Sequence, residues 1–147
     1  MTTKNNLNKV IITGGAGFIG SNLVKKLLEN GTEKILIIDD LSTGKLNNLE
    51  EFSSNQNIEI IKKRVEDIDN LNTLFENYDF CFHLAAGVGV QYIMDNVSKA
   101  LLTNIEGTHI VIEACKKNNL PLLITSTSEV YGVSEDKVWT EETKSLI

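Results

Sequence analysis

Three evenly spaced glycines, Gly14, Gly17 and Gly20, follow the apolar run Val10-Ile11-Ile12 and lead into a helix-period stretch. Glycine at such a turn lets the chain reverse sharply, lets backbone approach a ligand, and lets the new helix pack closely on its strand. The amides of that helix's first turn, at Phe18, Ile19 and Gly20, then face an anion. A dinucleotide pyrophosphate is the anion this pattern accommodates. Gly-rich strand-to-helix turns also occur without a ligand, so the acidic residue that follows matters. Asp39 ends a second apolar run, Ile35-Leu36-Ile37-Ile38, nineteen residues after Gly20. A carboxylate there accepts hydrogen bonds from the 2′ and 3′ hydroxyls of an adenosine ribose and repels a 2′-phosphate, which favours NAD over NADP. A strand-ending Asp can instead simply start a turn, and Asp40-Leu41-Ser42-Thr43-Gly44 is turn-like. The spacing from the glycine turn favours the ribose role.

Such residues act together only if several strands end beside one another. Periodicity predicts strands at 8–13, 34–39, 58–61, 80–85 and 122–125, the last entered through Pro121. It predicts a helix over 18–30, with Ile19, Leu23 and Leu27 on one stripe and Gly31 as its stop. Short amphipathic helices are expected at 45–54, through Leu46, Leu49 and Phe52, and at 70–77. A long helix over 98–117 would show a face of Leu101, Leu102, Ile105, Ile110, Val111 and Ala114. Alternating strands and helices imply a Rossmann-type α/β fold, a parallel sheet of order 3-2-1-4-5 with helices on both faces. Every unusual polar cluster then falls at a strand's carboxyl end: Gly14 to Gly20, Asp39, Asp67-Ile68, Ala85-Ala86-Gly87, and Ser126 to Glu129. Ligands of such sheets bind along that rim.

Composition is consistent with this. A chain of 147 residues with 41% apolar content can bury the core of one domain. A net charge of −6, with Arg64 the sole arginine, leaves no basic field for nucleic acid or an anionic membrane. Cys81 and Cys115 lie in apolar stretches, with no histidine at ligand spacing, and read as reduced core residues rather than metal ligands. No apolar run approaches membrane-spanning length, and Met1 to Lys9 carry no apolar signal core, so a soluble, cytoplasmic protein is expected.

Five motifs in order, Thr13-Gly-Gly-Ala-Gly-Phe-Ile-Gly20, Asp39-Asp-Leu-Ser-Thr-Gly44, His83-Leu-Ala-Ala86, Thr103-Asn-Ile-Glu-Gly-Thr108 and Ser126-Thr-Ser-Glu-Val-Tyr-Gly132, resemble the extended short-chain dehydrogenase/reductase family. More narrowly, they look like its NAD-dependent nucleotide-sugar epimerases, dehydratases and decarboxylases. The resemblance implies tightly held NAD and a nucleotide-sugar substrate. One sugar hydroxyl would be oxidised to a ketone, which permits epimerisation, elimination or decarboxylation before the hydride returns. By position, Gly14, Gly17 and Gly20 would bind pyrophosphate, Asp39 and Asp40 would lie at the ribose, and Asp67 and Ile68 at the adenine. Leu84, Ala85 and Ala86 would line the cofactor path, and Asn104 would lie near the nicotinamide end. Thr127 matches a residue that hydrogen-bonds the reacting hydroxyl, although many strand-end threonines only cap a backbone group. Members that remove water carry Asp-Glu where this chain has Ser128-Glu129. Dehydration is therefore disfavoured, and the string resembles UDP-glucuronate decarboxylases and some 4-epimerases. Glu129 either sits near substrate or is a solvated loop charge.

In that family a tyrosine acts as base, helped by a lysine four residues further along its helix. No such pair occurs here, since Tyr78, Tyr92 and Tyr131 are followed four residues later by Phe82, Asn96 and Glu135. The family pair lies beyond the Val-Tyr-Gly turn. Residues 1–147 are thus expected to be an incomplete NAD-binding domain, matched over 9–132, with 133–147 a loop toward a substrate lobe. The fifth strand would be an uncovered edge prone to self-association, and a homodimer is a possible assembly. Two readings remain: the NAD-binding portion of a nucleotide-sugar epimerase or decarboxylase, inactive when isolated, or a complete non-catalytic NAD-binding module.

Overall fold

Val10-Ile11-Ile12 and Ile35-Leu36-Ile37-Ile38 are apolar at every position, so both faces of these strands must be covered. They form the middle of the sheet in the computed structural model, which describes residues 7–87, 90–131 and 138–141. Strand β1 (Lys9–Thr13) pairs in parallel with β2 (Lys34–Ile38) on one side, Val10 opposite Ile35. On its other side it pairs with β4 (Phe80–His83), Thr13 opposite His83. With β3 (Ile58–Ile61) beside β2 and β5 (Leu122–Ile124) beside β4, the order is β3-β2-β1-β4-β5, as the alternation predicts. The helices are α1 (Phe18–Glu29), α2 (Leu71–Leu74), α3 (Val90–Asp95), α4 (Val97–Leu102) and α5 (Thr108–Lys117).

Side-chain alternation along the strands divides the core in two. Ile11, Leu36, Ile38 and Cys81 pack against Leu71, Phe75, Val111, Ala114 and Cys115 on the α2 and α5 face. Val10, Ile12, Ile35 and Ile37 pack against Val24 and Leu27 of α1 and Leu49 on the other. Both cysteines are buried free thiols, and the hydrogen bond with Cys115, together with burial, pushes the Cys81 thiol up. Among the described residues no helix is long and apolar enough to cross a membrane.

Several elements differ from the sequence reading. The expected 98–117 helix begins within α4 and passes through a π-helical turn, Thr103–Gly107, before α5. A wide turn adds a residue and rotates the apolar face. Leu101, Leu102 and Ile105 are accordingly 57%, 45% and 60% exposed, while Val111 and Ala114 reach the core. The 45–54 segment is a tight 3₁₀ helix, Leu46–Phe52, that buries Leu49. The 70–77 helix shrinks to α2, and Asn77, at φ 64°, turns the chain away. On α1 the buried stripe runs through Val24 and Leu27, with Ile19 exposed at the rim. The fourth strand stops at His83 because the amide of Ala85 donates to the Thr13 hydroxyl (3.2 Å). β5 is the sheet's edge, with Leu123 and Ile124 exposed. Tyr131 stacks on Trp139, ring centroids 5.6 Å apart.

Candidate cofactor cleft

The glycine turn is shaped by close backbone approaches. Gly14 has φ +74°, and a Cβ there would lie 2.7 Å from the amide nitrogen of Ala85 and 2.8 Å from the carbonyl carbon of Leu84. The turn therefore touches the chain leaving β4. A Cβ on Gly20 would lie 2.6 Å from Gly15 Cα, so α1 packs directly on the turn. Gly17 is the N-cap of α1 and brings no capping side chain. Its amide donates to Gly14 O (3.2 Å), and the first helical bond runs from Ser21 N–H to Gly17 O (3.0 Å). Helix geometry leaves the amides of Phe18, Ile19 and Gly20 at the positive end of the dipole, directed to the cleft.

Asp39 is 7% exposed and sits against that turn. Its Oδ2 accepts the Ala16 N–H (2.8 Å) and its Oδ1 the Leu41 N–H (2.9 Å). Asp39 thus starts the turn after β2, as one of the two sequence readings has it, and also holds the glycine turn through the Ala16 amide. Asp40 is exposed and holds the Ser42 amide (2.9 Å).

On the other side of β1, Thr13 Oγ1 lies 2.6 Å from His83 Nδ1, and His83 Nε2 lies 3.0 Å from Thr108 Oγ1. Thr13 also accepts the Ala85 amide, and each hydroxyl can donate or accept, so a neutral His83 in either tautomer has both ring nitrogens satisfied. The chain of bonds ties β1, β4 and α5 together beneath the cleft. Beyond it, Asn104 in the π-helical turn accepts the Gly87 N–H (2.7 Å) and donates to the Gly87 carbonyl (3.3 Å). π-helical turns recur at functional sites, and here one sets the angle of Asn104.

These elements enclose a cleft of about 870 Å³, within the range of small-molecule sites. Gly14, Gly17, Phe18, Ile19, Gly20, Asp39, Asp40, Leu84, Ala85, Ala86, Asn104 and Thr127 all line it. Asp67 and Ile68 do not. Asp67 is exposed on a 3₁₀ turn, Ile68 leans on the core, and the wall there is Lys63 to Glu66. The backbone of Ser128 and Glu129 begins a 3₁₀ turn, Ser128–Tyr131, while their side chains lie outside what is described. The residues that the sequence reading passed over are His83, Thr13, Thr108 and Arg64. A histidine inside an apolar strand was the available signal for the first. Arg64 pairs with Glu66, reaches Thr103 Oγ1 (3.4 Å), and buries an Nε that has no partner among the described residues.

Burial pushes the His83 imidazole from 6.5 down to about 4, so the folded state holds it neutral. A depressed folded value means its contribution to stability is complete above pH 6.5 and is lost as pH falls through 4. The whole effect is roughly 3 kcal/mol. Thermal melts from pH 7 to 4 are expected to lose less stability in His83→Gln than in the wild type. Parallel curves would remove His83 as the cause.

Residues 11–146 match the family described as GDP-mannose 4,6 dehydratase. The UDP-N-acetyl-alpha-D-glucosaminuronate decarboxylase of Bacillus cytotoxicus is 38% identical over 124 residues, 84% of this chain and 38% of that protein. UDP-glucuronic acid decarboxylase 1 of Xenopus tropicalis is 37% identical over 91% of this chain and 30% of its own length. Among solved structures, a UDP-N-acetylglucosamine 4-epimerase from Methanobrevibacter ruminantium, in complex with UDP-N-acetylmuramic acid, superposes with TM-score 0.83 at 35% identity, covering 95% of this chain and 44% of that one. A dTDP-glucose 4,6-dehydratase from Streptomyces venezuelae, solved with NAD bound, gives 0.84 at 26% identity over 94% of this chain and 45% of that one. The chain thus spans less than half the length of each of these relatives.

Proposed function

The chain belongs to the GDP-mannose 4,6 dehydratase family, within the extended short-chain dehydrogenases/reductases, and from that premise we propose that it holds NAD for a nucleotide-sugar epimerase or decarboxylase. The observation that carries the proposal is the convergence of the glycine turn, Asp39, the Leu84–Gly87 loop and Thr127 on one cleft. The fit is physical. The helix amides offer an anion site, and side chains are absent where backbone must approach it. The carboxylate of Asp39 is held in place by two backbone donors, with lone pairs left for ribose hydroxyls.

NAD, when bound, supplies a hydride acceptor at its nicotinamide. The chain's own contribution is to bind and orient. The amides of Phe18 to Gly20 receive the pyrophosphate, Asp39 receives the ribose, and the Gly87 loop, fixed by Asn104, borders the path toward β5. Thr127, at the β5 end of the cleft, orients the reacting sugar hydroxyl, with Ser128 and Glu129 beside it in sequence. Asp67 and Ile68, directly after the Lys63 to Glu66 wall of the cleft, are the residues proposed at the adenine. Without a Tyr-x-x-x-Lys pair in its 147 residues, the chain by itself binds NAD and leaves UDP-sugars unchanged.

Titration calorimetry with NAD and NADP, alongside turnover assays with UDP-glucuronate and UDP-glucose, tests this reading. NAD binding tighter than NADP, without turnover, is expected. A chain that binds neither dinucleotide refutes the cofactor assignment, and turnover refutes the need for the pair.

A further inference from the structure

Ala16, at the centre of the glycine turn and fully buried, is gripped from two sides. Its N–H goes to Asp39 (2.8 Å). Its carbonyl accepts two donors from the segment after β2, the Lys45 N–H (3.1 Å) and the side-chain amide of Asn48 (2.8 Å). Gly44 lets this segment fold over the turn, since a Cβ there would lie 2.9 Å from Asp39 Oδ1 and 3.1 Å from the Ala16 carbonyl carbon. The Ala16 carbonyl belongs to the peptide plane whose N–H is that of Gly17, the N-cap of α1. Fixing that carbonyl therefore fixes the tilt of the plane from which the three open amides of α1 follow.

We infer that Asn48 is a positioning residue for the pyrophosphate turn, acting through the Ala16 carbonyl and touching no ligand itself. The inference deepens the NAD reading and rests on it. Asn48 lies on the 3₁₀ helix Leu46–Phe52, which Leu49 anchors in the core. The clamp is thus mounted on a packed element rather than a free loop. Its specificity is geometric: an amide N–H2 donates to the carbonyl, whereas a carboxylate of the same shape would repel it.

The test uses the 147-residue chain with NAD, ADP and adenosine as probes. Asn48→Ala is expected to weaken NAD and ADP about fivefold, the worth of one net hydrogen bond. Asn48→Asp, which keeps the size but loses the donor, should weaken both at least as much. Adenosine lacks the pyrophosphate, so its affinity, followed by amide chemical shifts, should hold in both variants. In the ligand-free variants the Gly17 amide should exchange with solvent faster than in the wild type. If the wild type binds NAD and Asn48→Ala binds it equally, the clamp is wrong and the cofactor reading stands. Equal losses for ADP and adenosine overturn the clamp as well, by reducing Asn48 to a general structural role. A wild-type chain that binds no NAD overturns the reading beneath it, and the clamp's function with it.

Discussion

Gly14→Ala is expected to cost the fold at least ~3 kcal/mol, a large part of the 5–15 kcal/mol that holds a domain of this size. Two effects add. The residue sits at φ +74°, where a side chain is strained by about 1–2 kcal/mol. The new methyl group would also lie 2.7 Å from the Ala85 nitrogen, closer than real Cβ atoms approach, and the obstacle is backbone. Relief requires β1 and β4 to separate at the end where Thr13 and His83 are bonded. Gly31 provides the control, because its φ is +87° but nothing lies within 4 Å of a Cβ there. Gly31→Ala should therefore show the conformational cost alone. Urea unfolding of the two variants separates the terms. Equal midpoints would mean that the turn does not approach β4 this closely.

Asp39→Ala is expected to raise the NAD dissociation constant roughly 10- to 150-fold, the worth of one charge-assisted hydrogen bond. The same change strips the buried Ala16 amide of its acceptor, which costs a further 1–3 kcal/mol or so in stability. Asn is not a rescue. Its amide would turn an N–H2 toward the amide of either Ala16 or Leu41, both of which need an acceptor. Calorimetry with NAD, paired with thermal melts, checks both parts. Binding by Asp39→Asn at wild-type strength would show that neither the charge nor the two backbone bonds matter.

The strand order and the meeting of the glycine turn with Asp39 at one cleft were legible because they rest on local patterns. Fully apolar runs such as Ile35 to Ile38 mark central parallel strands, and a glycine turn announces the backbone approaches it permits. The π-helical turn was not legible. Its one extra residue leaves Leu101 and Ile105 apolar and periodic, yet exposed. The clamp on Ala16 was hidden for a different reason: Asn48 acts on a carbonyl 32 residues away, and an exposed polar residue in a short helix gives no sign of such a partner. In the sequence His83 is one member of a motif, with nothing local to mark its partners. Only the fold shows that Thr13 and Thr108, from β1 and α5, close on both its nitrogens. Asp67 and Ile68 illustrate the converse, since their position after the third strand put them on the rim, while the 3₁₀ turn leaves Lys63 to Glu66 as the wall of the cleft there.

The register of β1 also bears on how the cleft comes into being. Val10 pairs with Ile35 on one side and with Phe80 on the other, contacts that close chain segments of 25 and 70 residues. The longer closure costs about 0.9 kcal/mol more in chain entropy. The glycine turn lies within the shorter segment, with Asp39 and Asn48 following close behind it, whereas His83, Gly87 and Asn104 come after the longer closure. The half of the cleft built on the glycine turn and Asp39 thus closes over a shorter stretch of chain, at a lower cost in chain entropy, than the half that waits for β4.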